Sequence, residues 1–234
     1  MKIKVLYEDA SILAIEKPAG ITVSDLVLKY YPETELAHRL DKDTSGVLLL
    51  AKNEKAHEFL KKQFQARTVK KIYHAVVDGF VGPDHGIINK PIGRSPSDFR
   101  RRLSGRGARG EMREAETSYK VLKRFTAPVQ ASAHENFSPY VLRSLGKKNS
   151  RKPTLSKFTY LEIKPKTGRT HQIRVHMKFL NHPVACDSLY APNNLCPKGF
   201  SRLALHAKSI EFKNLKGKVV KIESPLPKEF LKIL

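Results

Sequence analysis

The run GVLLLAKN, Gly46 to Asn53, constrains the fold more than any other part of the chain. Its five consecutive apolar residues, Val47 to Ala51, are too few for a helix and lack the alternation of a half-exposed strand. They predict a buried strand, which needs a core around it. A chain of 234 residues can build that core, and 40% hydrophobic residues argue for a folded chain rather than a disordered one. Asn53 can cap the helix that follows, in which Ala56, Phe59, Leu60 and Phe64 recur at helical spacing.

Strands predominate in the rest. IKVLYEDASILAIEKPAG reads as two short strands around an acidic turn, Glu8-Asp9, ending at Pro18-Ala19-Gly20. KKIYHAVVDG is a strand that stops at Gly79, and AETSYKVLKRF is another. Tyr160 to Ile163 forms a strand leading through Lys166-Thr167-Gly168 into a helix, with Thr170 as its expected N-cap and Ile173, Met177 and Leu180 on one face. LALHAKSIEFKN and GKVVKIESPLP predict a closing hairpin. Two stretches break the rhythm. Residues 92–114 are rich in Arg, Gly and Ser and predict a mobile basic loop; residues 126–157 lack periodicity and predict a long, insertion-like loop. Strands with a few helices favour α+β with a mixed sheet, in one domain spanning 1–234.

The net charge is +22, from 44 Lys and Arg against 22 Asp and Glu, so a polyanionic partner is expected. The two cysteines, Cys186 and Cys196, make no disulfide framework and fit a reducing cytosol. The start shows no apolar export core, and no apolar run approaches ~18 residues. Cytoplasmic localisation and no membrane partner are therefore expected. GRGARG, Gly105 to Gly110, matches a dinucleotide fingerprint in letters only, because no buried strand precedes it; Arg106 and Arg109 read better as phosphate contacts. His171, His176, His182 and Cys186 fit no common zinc spacing, so no metal is expected.

HRLDKDTSG, His38 to Gly46, holds two acids among basic residues. Asp43, before Thr44-Ser45-Gly46, suits a local turn bond to backbone N–H groups. Asp41, between Arg39 and Lys42, should stay ionised. It could be a surface ion pair, a nucleophile or a base.

With LLLAK behind it, HRLDKDTSG resembles the signature of RluA-type pseudouridine synthases. LYEDASILAIEKPAGITV, KKIYHAVVDG, PKTGRTHQIRVHM and RLALHA resemble further motifs of that family, in the same order. The resemblance implies the pseudouridine synthase fold, α+β with a mixed, mostly antiparallel central sheet and flanking helices and loops. It implies Asp41 as the nucleophile that attacks a uridine at ribose C1′ or uracil C6, with no cofactor. Arg174 would be the basic partner of that acid, and Tyr73 would stack on the uracil. Arg39 would brace the space that the flipped base leaves, while His38, Lys71, Arg169 and His171 would face RNA or support the loop. The partner implied is a stem-loop of rRNA and/or tRNA; no obligate protein partner is evident, so a monomer is expected. Family members often carry an N-terminal S4 domain, and the first motif here starts within ten residues of Met1, so its absence is expected. Cys186 and Ala191 stand where the family usually has glycines. The rival reading is a non-catalytic RNA-binding or ribosome-assembly factor on the same scaffold.

Overall fold

The structure, a computed structural model, describes residues 3–105, 107–130 and 154–233. In chain order its elements are β1 (Lys4–Glu8), β2 (Ile12–Lys17), α1 (Val23–Tyr30), β3 (Glu35–Leu36), β4 (Ser45–Ala51), α2 (Glu54–Gln65) and β5 (Lys70–Asp78). There follow β6 (His85–Asn89), β7 (Ile92–Arg94), β8 (Arg102–Ser104), β9 (Arg109–Arg113), β10 (Glu116–Gln130) and β11 (Leu155–Pro165). Last come α3 (Gln172–Phe179), β12 (Cys196–Pro197), β13 (Leu205–Lys213), β14 (Val219–Glu223) and α4 (Lys228–Leu231). Most of the pairings are antiparallel, and β13 runs parallel to β4, so the sheet is mixed and the class is α+β. The chain packs as two compact units, one of residues up to Tyr73 with Leu205–Lys228, the other of His74–Ala204 with the residues from Glu229.

In the first unit, β1 and β2 form the expected hairpin. Asp9 makes its turn, Oδ1 accepting from the N–H groups of Ser11 at 2.8 Å and Ile12 at 2.7 Å. β2 runs antiparallel to β4 from Ile12↔Ala51 to Lys17↔Gly46. β13 joins the start of β4 in parallel, at His206↔Ser45 and Ala207↔Gly46, and β14 closes the unit as the predicted hairpin partner of β13. All seven residues of β4 are buried, as its apolar run demands. Strand alternation splits them between two cores. Val47, Leu49 and Ala51 pack with Ala56 and Leu60 of α2, while Leu48 and Leu50 pack with Val23 and Leu26 of α1. Asn53 caps α2 as expected, its side chain accepting from the Ala56 N–H at 3.0 Å. Helix α1 was not anticipated. Its signal is Thr22, whose hydroxyl accepts from the Asp25 N–H at 3.1 Å to cap the helix.

In the second unit, β10 pairs with β11 from Thr117↔Pro165 to Pro128↔Leu155 and with β6 on its other edge. Two expectations are corrected here. Residues 126–130 continue β10, and β11 begins at Leu155, so the flanks of the expected 126–157 loop are paired strand. Pro128 hid this, yet its carbonyl still accepts from the Lys198 N–H at 2.8 Å. The interior of that stretch, 131–153, lies outside the described residues, as does Arg106. The second correction concerns residues 92–114, which contain a three-stranded antiparallel sheet, β8-β7-β9. Backbone ladders need no apolar side chains, so an Arg- and Gly-rich composition concealed it, and Ile92 anchors it in a core with Ala115, Val175 and Tyr190.

Leu49 has no exposed surface, whereas Leu28 on α1 is 77% exposed. Leu49→Ala is expected to cost about 3 kcal/mol through lost burial and a residual cavity, and Leu28→Ala about 0.5 kcal/mol or less. Urea unfolding of the two variants checks both.

Candidate active site

The loop from His38 to Gly46 is built by the elements around it. Leu40 is buried among Leu13, Leu26, Leu48 and Leu50 and holds the loop onto the core. The Thr44 N–H donates to the Asp41 carbonyl at 3.1 Å, closing a tight turn that starts at Asp41. Gly46 has φ +116°, and a Cβ there would sit 2.2 Å from the Ala207 carbonyl oxygen. Only glycine lets β13 come this close. Ser45 and His206 hydrogen-bond beside it, Oγ to Nδ1 at 2.9 Å, both buried.

The clamp on this loop is Lys17, with no exposed surface. Its Nζ donates to the carbonyls of Pro18 at 2.8 Å and of Lys42 and Thr44, both at 2.9 Å. The Gly20 N–H adds a second bond to the Lys42 carbonyl at 2.9 Å. The ammonium thus pins two carbonyls within the turn that starts at Asp41, one on each side of Asp43. The sequence suggested Asp43 for this work; among the described residues its carboxylate forms no hydrogen bond or ion pair. Lys17 lies 25 residues from Lys42, so local turn chemistry could not reveal it.

Tyr73 is partly buried and packs against the cluster that contains Leu40. Its phenol pKa is pushed well up, first by burial and then by the negative charge of Asp41, so the ring carries a neutral hydroxyl at physiological pH. His38 belongs to the scaffold. Its Nε2 accepts from the Leu49 N–H at 3.0 Å, and its ring stacks on Phe64 with centroids 5.0 Å apart. Burial, with the Lys71 charge nearby, lowers its pKa to about 3, so the imidazole is neutral. These contacts suit the support of the loop, one of the two roles expected of His38. Burial also lowers the Lys71 pKa, to about 8. Arg39 is exposed and, among the described residues, has no hydrogen bond or ion pair.

In the second unit, α3 carries Arg174. Its Nε and Nη2 each donate to Asp187, to Oδ2 and Oδ1 at 2.8 Å, in a pair whose side chains are 7% and 0% exposed. Asp187 Oδ1 also accepts from the N–H groups of Leu189 and Tyr190 at 3.0 Å. The Arg174 guanidinium lies 5.1 Å from the Tyr190 ring centroid, and the Tyr190 hydroxyl bonds His171 Nδ1 at 3.0 Å. Helix α3 is locked to β10 by Gln172, which donates to Thr117 Oγ1 at 2.9 Å, and by His176, whose Nδ1 meets the same hydroxyl at 2.8 Å. His171, in the left-handed region at φ 57°, is the N-cap in place of Thr170 and makes no side-chain cap bond. Arg169 Nε donates to the Glu114 carbonyl at 3.0 Å, and Arg109 is exposed.

Asp187, Lys17 and Tyr190 escaped the sequence reading. ACDSLYAP had drawn notice only at Cys186 and Ala191. The structure also joins Cys186 to Cys196, with Cα atoms 5.1 Å apart, where two reduced thiols were expected. The bridge closes the segment that carries Asp187 and Tyr190, and Cys196 pairs with Gln130 of β10. Among the described residues no three His, Cys, Asp or Glu side chains gather in a metal-binding group, and no helix is long and apolar enough to cross a membrane.

Residues 11–179, which include Lys17, Asp41, Tyr73 and Arg174, match the sequence profile of the family described as RNA pseudouridylate synthase. The chain belongs to that family. It is 32% identical to an uncharacterized RNA pseudouridine synthase, YlyB, of Bacillus subtilis, over 100% of this chain and 72% of the relative. It is 33% identical to the ribosomal large subunit pseudouridine synthase D of Pseudomonas aeruginosa, over 100% of this chain and 71% of that one. The ribosomal large subunit pseudouridine synthase D of Neisseria meningitidis is longer still, and the chain covers 61% of it at 32% identity. Among solved structures, the human RNA pseudouridylate synthase domain containing 1 shares the fold, with a TM-score of 0.74 over 97% of this chain and 84% of that chain at 24% identity. As a pseudouridine synthase the chain is an isomerase that acts on RNA.

Two outcomes follow from the loop. Lys17→Met leaves three carbonyls without their charged donor and is expected to cost about 3 kcal/mol; chemical denaturation reads the loss. His38 resists protonation when folded and accepts a proton near 6.5 when unfolded. Its contribution to stability is complete above pH 6.5 and drains away as pH falls toward about 3. Unfolding free energy measured against pH is expected to fall less steeply across that window in His38→Gln than in the wild type.

Proposed function

We propose that this chain isomerises uridines in a stem-loop of rRNA and/or tRNA, with Asp41 as the nucleophile. The observation that carries the reading is the Asp41–Thr44 turn, held at two of its carbonyls by the buried Lys17 and set close enough to Tyr73 for the Asp41 charge to act on the phenol. An acid held on so rigid a loop needs little reorganisation to attack. Asp41 would add to C1′ of the ribose or C6 of the uracil. Addition at C1′ displaces N1, and C5 of the turned uracil then displaces the Asp41 carboxylate from C1′. Addition at C6 is followed by cleavage of N1–C1′, bonding of C5 to C1′ and loss of the Asp41–C6 bond. In either route C5 loses its proton, N1 gains one and Asp41 returns as a free carboxylate. Tyr73, as a neutral phenol, suits stacking on the uracil. The family resemblance gives Arg174 the part of basic partner to the acid, and Asp187 would then hold its guanidinium in a fixed orientation. Exposed Arg39 is suited to the place of the flipped base, because a guanidinium stacks and hydrogen-bonds at once. Arg109, Arg169, His171 and Lys71 would serve RNA contact.

The names of the relatives supply the substrate class: one is a large-subunit ribosomal enzyme, and another, from Vibrio vulnificus, is called a dual-specificity RNA pseudouridine synthase. In this reading the protein works as a cytoplasmic monomer with a single catalytic domain over residues 1–234.

Pseudouridine mapping of total RNA from cells with and without the protein is expected to show one or a few uridines that depend on it. With that RNA in vitro, Asp41→Asn is expected to lower pseudouridine formation by on the order of 10³-fold or more while RNA still binds. An Asn variant that isomerises uridine at the wild-type rate would favour the non-catalytic role for Asp41.

A further inference from the structure

The small sheet β8-β7-β9 sets Arg94 opposite Arg102 on one side and opposite Arg109 on the other. Directly paired residues in antiparallel strands share a face, with Cβ atoms about 5 Å apart. Three guanidinium side chains therefore stand in one row across about 10 Å of sheet. Like charges in that arrangement destabilise a sheet, and the row has no internal remedy. Among the described residues the guanidinium groups of Arg94 and Arg109 form no hydrogen bond or ion pair. Arg102 Nη1 donates to the carbonyls of Phe99 and Arg101, both at 3.0 Å, and meets no carboxylate.

The row borders a cleft of about 460 Å³, lined by Arg94, Arg102, Arg113 and Arg169 with glycines among them. Its one acid, Glu111, is already paired with Arg113 at 2.9 Å. The floor at Gly168 leads into the loop before α3, and the glycines let a ligand approach the backbone closely. An excess of planar, five-donor cations, self-repelling when empty and open to solvent, matches the geometry of phosphate oxygens.

We propose that this cleft, with Arg109 at the end of the row, binds the phosphodiester backbone of the substrate RNA and takes at least two of its phosphates. The proposal rests on the reading of the chain as an RNA-modifying enzyme, and it adds Arg94, Arg102 and Arg113 to the residues that grip RNA.

The test uses the full chain and fluorescein-labelled bulk tRNA, with anisotropy followed over a salt series. Arg94→Ala/Arg109→Ala is expected to weaken binding about tenfold or more near 0.15 M salt and to reduce the slope of log K against log salt by about two. Lys55→Ala, at an exposed position of α2, serves as a control for the loss of one charge outside the cleft, with little change expected. Arg94→Lys is expected to keep the slope and lose part of the affinity, because a point charge replaces a fork. The double variant is expected to melt at or above the wild-type temperature, since it removes repulsion. An unchanged slope and affinity, or a loss no larger than that of Lys55→Ala, overturns the proposal. So does displacement of tRNA by millimolar inorganic phosphate or by polyglutamate as readily as by unlabelled RNA, which would make this a small-anion site or an acidic-protein site. If the wild type binds tRNA with a steep slope that the double variant reduces, yet forms no pseudouridine in total RNA, the catalytic reading fails and the cleft assignment stands.

Discussion

The buried ammonium of Lys17 is the interaction on which the candidate catalytic loop depends. A charge with no exposed surface survives only when its donors are satisfied, and here three carbonyls do so. Two of those carbonyls belong to the loop that bears Asp41, so the requirement runs both ways. The lysine needs the loop in this conformation, and the loop owes its conformation to the lysine. The β2–β4 register makes the arrangement possible, because Lys17 pairs with Gly46 at the far end of the ladder. On the next strand Gly46 has to lack a side chain for β13 to close against it. In the proposed reaction, a carboxylate placed by such an over-determined loop pays its ordering cost during folding rather than at the moment of attack.

The Arg174–Asp187 pair follows the same logic in the second unit. Buried ion pairs are poor sources of net stability, because desolvation offsets most of the attraction, yet breaking one leaves a stranded charge and costs several kcal/mol. Their use is in orientation. Asp187 spends its second lone pairs on two backbone N–H groups, which fixes the carboxylate, and a fixed carboxylate fixes a two-pronged guanidinium. Tyr190 packs against the same guanidinium, leaving Arg174 little rotational freedom. The Cys186–Cys196 bridge joins the residue just before Asp187 to the strand that pairs with β10, so the support of this pair is covalent as well as polar.

These supports explain which parts of the molecule could be read from the sequence. The buried strand, the capped helix after it, the acidic hairpin and the closing hairpin all rest on patterns within a dozen residues, and each was legible. The roles proposed for Asp41 and Arg174 come only from the ordered family motifs, since a carboxylate between two bases looks like any surface ion pair. Their supports were not legible at all. Lys17 acts across 25 residues and Asp187 across 13, and the partners meet only after strands and helix have packed. Helix α1 was missed for a different reason. Its eight residues are rich in valine and leucine without a long periodic run, and the Thr22–Asp25 cap was its clearest mark.

The arginine-rich segment failed in the opposite direction: composition described it well and misjudged its form. Sequence patterns detect sheets through side-chain alternation, but the ladder itself is backbone, and three short strands can pair while their side chains remain charged. Such a sheet cannot hold itself together by burial. It is tied instead at its root, where Ile92 and Ala115 enter a core with Val175 of α3 and with Tyr190. That anchoring makes a self-repelling row tolerable, because the repulsion is spent at the exposed end and the cohesion is gained at the buried one. It also joins the cationic sheet to the helix that carries Arg174 through one packed cluster, so within this unit the charged surface and the buried ion pair share a rigid base.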